Sequence, residues 1–136
     1  KSLYVLAPNY AAGKNMVSGV ERTFKGKIVG KDMTKWPTQI DWAAEFTKVK
    51  AVKPDAVFTF YPGKHGPAFI KQYKQAGLSN IPLYSVYTID SIALPRMQKA
   101  KMEGVMGTYM TQFWAPDMKV AQNKRFVSGF KEKYGT

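Results

Sequence analysis

Short apolar runs and amphipathic stripes alternate along the chain. Four apolar runs, at residues 3–7, 27–33, 56–60 and 83–86, are short enough to be buried strands, and turn residues follow most of them. The run at 56–60 is the strongest and the run at 27–33 the weakest of the four. A fifth run, at 105–110, predicts one more strand.

Between these runs, apolar residues recur every three or four positions, which is the spacing of one face of a helix. The four faces are Met16, Val17, Val20 and Phe24; Trp42, Ala43, Phe46 and Val49; Phe69, Ile70, Tyr73 and Ala76; and Val120, Val127, Phe130 and Tyr134. Residues 38–41 fit a capping box that begins the second helix, and Pro54 ends it. Gly77 and Gly135 stand where left-handed caps would end the third and last helices.

The order of these elements predicts an α/β fold. Strand and helix alternate four times, with a weaker fifth strand before the final helix. This order is typical of a three-layer sandwich with a mainly parallel sheet of about five strands and helices on both faces. The 136 residues make one domain, so we expect a single α/β lobe over 1–136. Because both ends are abrupt, we expect a fragment of something longer.

The charge of the chain raises the question of an anionic partner. Lys and Arg total 21 against 9 for Asp and Glu, which gives a formal net charge of +12. All but three of the basic residues are Lys, and they are spread along the whole chain, whereas nucleic-acid readers depend on Arg for bidentate contacts. We therefore interpret the charge as a solvated surface and expect no nucleic-acid partner.

The rare residues exclude several chemistries. There is no Cys and one His, His65, so disulfides, thiolate or histidine metal sites and a cysteine nucleophile are excluded. The nine acids include no compact pair, and His65 is best interpreted as a surface residue or hydrogen-bond donor. We expect no metal, no cofactor and no enzymatic activity. No apolar run reaches about 18 residues, and no signal peptide occurs, so the protein is cytoplasmic or its signal lies outside this sequence.

Two glycine-containing segments resemble ligand-binding motifs but lack the residues or the structural context that those motifs need. Gly13 and Lys14 stand where a phosphate-binding loop would lie, but Pro8 and Asn15 replace the Gly and the Ser or Thr that it needs. Residues 63–66 have the GxxG spacing of KH modules, but they follow a strand instead of a helix. We interpret the first segment as a tight entry into a helix and the second as a strand-to-helix turn.

The loops after the predicted strands hold the candidate site, because ligands of open parallel sheets bind outside the carboxyl ends of the strands. Every one of these loops carries an aromatic residue. They contain Asn9-Tyr10-Ala11, Trp36-Pro37, Tyr61-Pro62-Gly63, Tyr87-Thr88-Ile89-Asp90 and Phe113-Trp114. Tyrosine hydroxyls, apolar rings, an amide and one acid make up half of a small-molecule pocket. We expect Trp36 only to brace its loop.

Several segments also carry a family likeness. They are LAPNYAAGK at 6–14, KPDAVF at 53–58, KQYKQAGL at 71–78, IPLY at 81–84, NKRF at 123–126 and KYG at 133–135. In this order and spacing they resemble the type I periplasmic solute-binding proteins of ABC transporters. The likeness is to the branched-chain amino acid receptor group, and within it to members that take aromatic acids and related compounds. It covers essentially the whole chain.

The resemblance implies a two-lobed receptor that traps its ligand between lobes closing about a hinge, and this sequence resembles the second lobe. It would bind a small organic acid or amino acid, with aromatic ligands among the candidates, and deliver it to an ABC importer. The implied partners are the small-molecule ligand, the transporter permease and the missing first lobe of the same chain. The implied location is periplasmic or extracytoplasmic.

The resemblance also assigns ligand-binding residues. Tyr10, with Asn9 beside it, matches an aromatic residue that commonly faces the ligand. Tyr61, Pro62 and Gly63 match a contact turn after the third strand. Residues 87–90 fall where the family places a polar or acidic residue, which makes Tyr87 and Asp90 candidates. In relatives that take amino acids, an acid in that region meets the ligand ammonium. If Asp90 does not reach the cleft, the ligand is expected to lack an amine.

A second class of function stays open. The same fold occurs in ligand-sensing domains of regulators and receptors, and attached DNA-binding or signalling segments would identify that class. A nucleic-acid binder is a distant third possibility, which a steep salt dependence of DNA affinity would revive.

Overall fold

Strands and helices alternate strictly in the computed structural model, which describes residues 1–102 and 107–135. The strands are β1 (Ser2–Pro8), β2 (Lys27–Thr34), β3 (Ala56–Thr59), β4 (Leu83–Val86) and β5 (Tyr109–Thr111). The helices are α1 (Ala11–Thr23), α2 (Ala43–Val52), α3 (His65–Gln75), α4 (Ala93–Lys99) and α5 (Ala121–Tyr134). Each of the first four strands is followed by a helix that leads to the next strand.

The five strands form one sheet in the order β2-β1-β3-β4-β5, and every neighbouring pair is parallel. The central strand β1 pairs on both sides, with Leu3 opposite Ile28 of β2 and opposite Ala56 of β3. Because all strands run the same way, the loops that follow them lie at one edge, the carboxyl edge. The predicted parallel α/β sheet is confirmed.

Each face of the sheet has its own apolar core. Successive side chains of a strand point to opposite faces, and six consecutive residues of β1, from Leu3 to Pro8, are buried. On one face, Tyr4 and Leu6 pack with residues of α2, α3 and α4, among them Phe46, Phe69 and Met97. On the other face, β1 packs against the apolar side of α1. Helices therefore cover both faces, as the predicted three-layer arrangement requires.

The structure adds one helix and moves the start of another. The seven-residue α4 was not expected from the sequence. Helix α2 begins at Ala43, and Asp41 Oδ1 accepts the Ala43 amide at 2.8 Å. The capping box at 38–41 is therefore wrong, because Asp41, and not Thr38, serves the first turn. The predicted strand at 105–110 lies partly outside the described residues, since residues 103–106 are among those not described.

Several large aromatic side chains remain exposed. Tyr84 of β4 and Tyr109 of β5 stack on each other with centroids 4.8 Å apart, and both are about half exposed. Phe126, Phe130 and Tyr134 follow one another along α5 and are also about half exposed. We call these two groups of exposed rings, five residues in all, the open aromatic face. No helix in the described parts of the chain is long and apolar enough to cross a membrane.

Candidate functional site

Four aromatic rings from different segments meet at the carboxyl edge of the sheet. Tyr10 follows β1 and Trp36 follows β2, and their ring centroids are 5.0 Å apart with planes only 12° from parallel. Phe60, which follows β3, lies 6.3 Å from Tyr10. His65, the first residue of α3, lies 4.5 Å from Trp36. We call these four residues the edge cluster.

The backbone around Tyr10 is fixed by close contacts between neighbouring segments. The Asn9 amide donates to Thr34 O at 2.7 Å, which joins the ends of β1 and β2. A Cβ on Gly13 would lie 1.9 Å from Pro8 O, so only glycine allows the first turn of α1 to approach the end of β1 this closely. This confirms the interpretation of Gly13 as a tight entry into the helix. Tyr10 is thus held at the edge by both strands.

Tyr10 presents a ring and a proton donor together. Its side chain is partly buried, and this burial raises the pKa of its phenol above the ordinary value of 10.0. The hydroxyl therefore stays protonated at neutral pH and can donate a hydrogen bond to an anionic ligand group. Asn9, which is exposed beside Tyr10, adds an amide within the same turn.

His65 is a buried hydrogen-bond donor. Its Nε2 lies 2.9 Å from Pro37 O, and because a carbonyl oxygen only accepts, this nitrogen carries the proton. The side chain is only 5% exposed. Of the two sequence interpretations of this residue, the hydrogen-bond donor is correct and the surface residue is wrong.

Trp36, Phe60 and His65 are the members of the edge cluster that the sequence prediction left out of the binding site. Trp36 contacts both Tyr10 and His65, so it does more than brace its own loop. The available signal was its place after β2, at the same edge as Tyr10. No sequence pattern indicated His65, since its contact with residues 36 and 37 depends on how α3 packs against the loop after β2.

Tyr61 lies in the core and not at the ligand-facing edge. Its ring is 1% exposed and stacks on Phe69 with centroids 4.8 Å apart. Its hydroxyl lies 2.8 Å from Thr34 Oγ1, and burial raises the pKa of this phenol well above its ordinary value. The expectation that the Tyr61 ring contacts ligand is therefore wrong, because the side chain turns under the sheet edge into the core.

Pro62 and Gly63 form an exposed turn beside a shallow pocket. Gly63 has φ of 63°, a backbone conformation that favours glycine. The pocket, of about 430 Å³, lies between the start of α3 and α4. It is lined by Gly63, Lys64, Pro67, Asp90, Ile92, Ala93, Arg96, Met97 and Met102. Two of its side chains are cationic, and most of the rest are apolar.

Asp90 is engaged as a helix cap. Its Oδ1 accepts the backbone amides of Ile92 at 3.0 Å and Ala93 at 2.6 Å, and so begins α4. Tyr87 has φ of 50°, and its hydroxyl oxygen accepts the Phe113 amide at 2.9 Å. Tyr87 is therefore tied to the segment after β5.

The candidate residues fall into separate groups along the edge. Asn9 and Tyr10 belong with the edge cluster, whereas Gly63 and Asp90 line the neighbouring pocket. Strand β3 separates β1, which precedes Tyr10, from β4, which precedes Tyr87. Among the described residues, the ring of Tyr87 packs on Phe113 and not on a ring of the edge cluster. Residues 1–102 and 107–135 hold no group of three or more His, Asp or Glu side chains that could bind a metal ion.

A family model described as periplasmic binding protein matches residues 1–136. No curated protein shows a significant match to the chain.

Solved structures of similar fold are solute-binding proteins. One, from R. palustris in complex with benzoate, is 28% identical with a TM-score of 0.80, and the match covers 100% of this chain and 37% of that one. Another, from Rhodopseudomonas palustris BisB5 in complex with 3,4-dihydroxybenzoic acid, is 25% identical with a TM-score of 0.77, and covers 99% and 38%.

A third structure is the branched-chain amino acid transporter substrate-binding protein of Streptococcus pneumoniae in complex with isoleucine. It is 19% identical with a TM-score of 0.76, and the match covers 99% of this chain and 38% of that one. At this identity the match shows the fold alone. The chain thus spans less than two fifths of the length of these three proteins.

Proposed function

The chain belongs to the periplasmic binding protein family, and we propose that it is the second, ligand-binding lobe of an extracytoplasmic solute receptor. The receptor binds a small aromatic acid and delivers it to the permease of an ABC importer. The first lobe of the same receptor supplies the other half of the cleft. The observation that supports this proposal is the edge cluster, in which the stacked rings of Tyr10 and Trp36 lie at the carboxyl edge of the sheet.

The rings of the edge cluster support an aromatic ligand. Planar rings stack or meet edge to face with a ligand ring, which adds about 0.5–1.5 kcal/mol to the gain from area burial. Tyr10 and Trp36 are both partly exposed, so a ligand can reach them. The similar proteins from R. palustris were solved with benzoate and with 3,4-dihydroxybenzoic acid, which are ligands of this kind.

The charged side chains near the carboxyl edge of the sheet favour a ligand that carries a carboxylate and no amine. An amino acid ligand requires a carboxylate for its ammonium group, and Asp90 is the candidate. Its Oδ1 already accepts two backbone amides as the cap of α4. The neighbouring pocket is lined by Lys64 and Arg96 as well as Asp90, so its two cations exceed its one anion and its net charge favours a carboxylate over an ammonium group. The protonated hydroxyl of Tyr10 is a further donor for an anion.

The arrangement of His65 supports binding without catalysis. A general base needs a free nitrogen within reach of the substrate. With Nε2 protonated towards Pro37 O, the basic nitrogen of His65 is Nδ1, but the side chain is only 5% exposed and its ring packs against Trp36, so a substrate has little access to it. We therefore propose that the receptor releases its ligand unchanged, and that the edge cluster serves recognition.

Calorimetry on the full-length receptor that contains this lobe tests the proposal, with benzoate, 4-hydroxybenzoate and isoleucine as ligands. We expect the benzoates to bind and isoleucine not to bind. The Tyr10→Ala variant should bind benzoate about 1–3 kcal/mol more weakly, which is the scale of a lost ring contact with its hydrogen bond. Tyr84→Ala, which truncates a tyrosine of β4 outside the edge cluster, is the matched control and should leave affinity unchanged. Binding of isoleucine alone would overturn the proposal.

A further inference from the structure

Trp36 is the ring that links Tyr10 and His65 within the edge cluster. It lies parallel to Tyr10 and also contacts His65, whose ring is tilted by 44°. Tyr10 and Trp36 follow neighbouring parallel strands, β1 and β2, and His65 opens α3. The indole is partly exposed, so one part of it is packed and another part remains available.

His65 fixes the segment that carries Trp36. Its Nε2 donates to the carbonyl oxygen of Pro37, the residue directly after Trp36. Gln39 holds the same loop from within, because its side-chain Oε1 accepts the Lys35 backbone amide at 3.2 Å and its own backbone amide donates to Lys35 O at 3.2 Å. The orientation of the indole therefore depends on α3 through one hydrogen bond and one ring contact.

We propose that Trp36 is the residue that makes this site select aromatic over saturated ring acids, and that His65 is its positioning residue. The inference rests on the proposed function and adds to it two residues that act on the ring of the ligand and not on its carboxylate. An aromatic ring gains from the quadrupole of a fixed indole by stacking or edge contact. A saturated ring of similar size buries similar apolar area but lacks this gain. The selectivity therefore depends on the fixed orientation of the Trp36 indole.

The affinity ratio of two ligands tests the role of Trp36. Benzoate and cyclohexanecarboxylate have the same charge and similar size, and differ in the aromatic character of the ring. In the full-length receptor, calorimetry should show tighter binding of benzoate. Trp36→Leu should lower the ratio of the two affinities by about threefold to tenfold, whereas Trp36→Phe should keep most of it. Trp114→Leu is the matched control, since that indole is bound to Asn123 and packs on Phe126, and it should leave the ratio unchanged.

A pair of His65 variants tests the positioning role. The amide of a glutamine can place a donor near the position of Nε2, and leucine has no donor. We expect His65→Leu to lower the ratio of the benzoate and cyclohexanecarboxylate affinities as Trp36→Leu does, and His65→Gln to restore part of it. Far-ultraviolet circular dichroism of each variant checks that the fold is retained.

Two further outcomes separate this inference from the proposed function. If Trp36→Leu weakens both ligands equally and the ratio is unchanged, Trp36 acts only through packing and the inference is wrong, although the receptor still binds aromatic acids. If the unmodified receptor binds neither acid, the proposed function itself fails. If His65→Leu leaves the ratio intact while Trp36→Leu lowers it, the positioning role of His65 is excluded and the role of Trp36 stands.

Discussion

At the scale of single residues, the closest backbone contact near the site depends on a glycine, Gly66, which has no side chain. A Cβ on Gly66 would lie 1.6 Å from Thr88 O and 2.8 Å from Tyr61 O. This glycine lets the first turn of α3 rest directly on the loop after β4. The Tyr61 amide donates to Thr88 Oγ1 at 3.1 Å and ties the same two segments together. The edge therefore has a rigid centre between its two groups of candidate residues.

Gly66→Ala should destabilise the protein by about 1–3 kcal/mol, because the added methyl group overlaps backbone that can move only with its helix or loop. Gly19→Ala is the matched control: it lies in α1, and an added Cβ meets nothing within 4 Å. That change should stabilise the protein by about 0.5–1 kcal/mol through helix propensity. Urea unfolding of both variants gives the comparison. Equal stabilities would show that the loop after β4 yields to the methyl group.

Tyr61 and Tyr10 should respond to truncation in opposite ways. Tyr61→Ala removes a buried ring that also meets Trp42 with centroids 5.2 Å apart, and we expect it to cost about 3–5 kcal/mol of stability. Tyr10→Ala removes a partly exposed ring and should cost much less. Thermal unfolding followed by circular dichroism measures both. A Tyr61→Ala variant as stable as Tyr10→Ala would contradict the core position of the ring.

At the scale of elements, the sequence correctly predicted the segments whose apolar pattern or terminal glycine is clear. The four-residue strands β3 and β4 and the left-handed caps at Gly77 and Gly135 are confirmed. Helix α4 was missed because it is seven residues long and its apolar positions, Ala93, Leu94 and Met97, span little more than one turn. The position of Tyr61 also escaped prediction, since it depends on α2 and α3 packing around it and not on its neighbours in sequence.

The amino ends of β1 and β3 are joined by a carboxylate that should make stability depend on pH. Asp55 Oδ2 accepts the Ser2 amide at 2.6 Å and the Ser2 hydroxyl at 3.0 Å. The hydrogen bond from the Ser2 amide is the main reason that the pKa of Asp55 lies below its ordinary value of 3.8. A carboxylate whose pKa is lower in the folded state stabilises that state above pH 3.8, and this contribution is lost as the pH falls through the lowered pKa.

Asp55→Asn should therefore lower the urea midpoint at pH 7, and the difference from the unmodified protein should shrink as the pH falls below about 4. The exposed Asp117→Asn serves as the control and should show a small difference at every pH. A difference for Asp55→Asn that stays constant from pH 7 to pH 3 would mean that the hydrogen bonds, and not the charge, are responsible.

At the scale of the whole molecule, basic residues outnumber acidic residues by 21 to 9. Among the described residues, two ion pairs form, between Lys31 and Glu21 and between Lys48 and Asp32. A formal charge of +12 on 136 residues creates a positive field that draws small anions towards the surface and weakens with ionic strength. The charge therefore favours an anionic solute. It does not by itself supply residues that would recognise a nucleic-acid sequence.

The open aromatic face is the other property of the whole molecule, and it predicts binding of a hydrophobic dye. Tyr84, Tyr109, Phe126, Phe130 and Tyr134 are each between 44% and 58% exposed. Clustered exposed rings of this kind mark surfaces that other segments cover. In the proposed receptor, the further residues of the same lobe cover this face. The 136-residue chain should therefore enhance the fluorescence of anilinonaphthalene sulfonate, and a longer chain that completes the lobe should enhance it less.

Two exposed phenylalanines provide the control for this last prediction. Phe126→Ser and Phe130→Ser remove rings of α5 that contribute little to the core, since both are about half exposed. In the 136-residue chain these changes should lower dye fluorescence while circular dichroism stays unchanged, because the dye loses its surface and the fold does not. Loss of helical signal in step with the dye would place these rings in the core instead. Equal dye binding by the short and the completed chain would show that residues 1–136 cover their own apolar surface, and that the lobe needs no further segments.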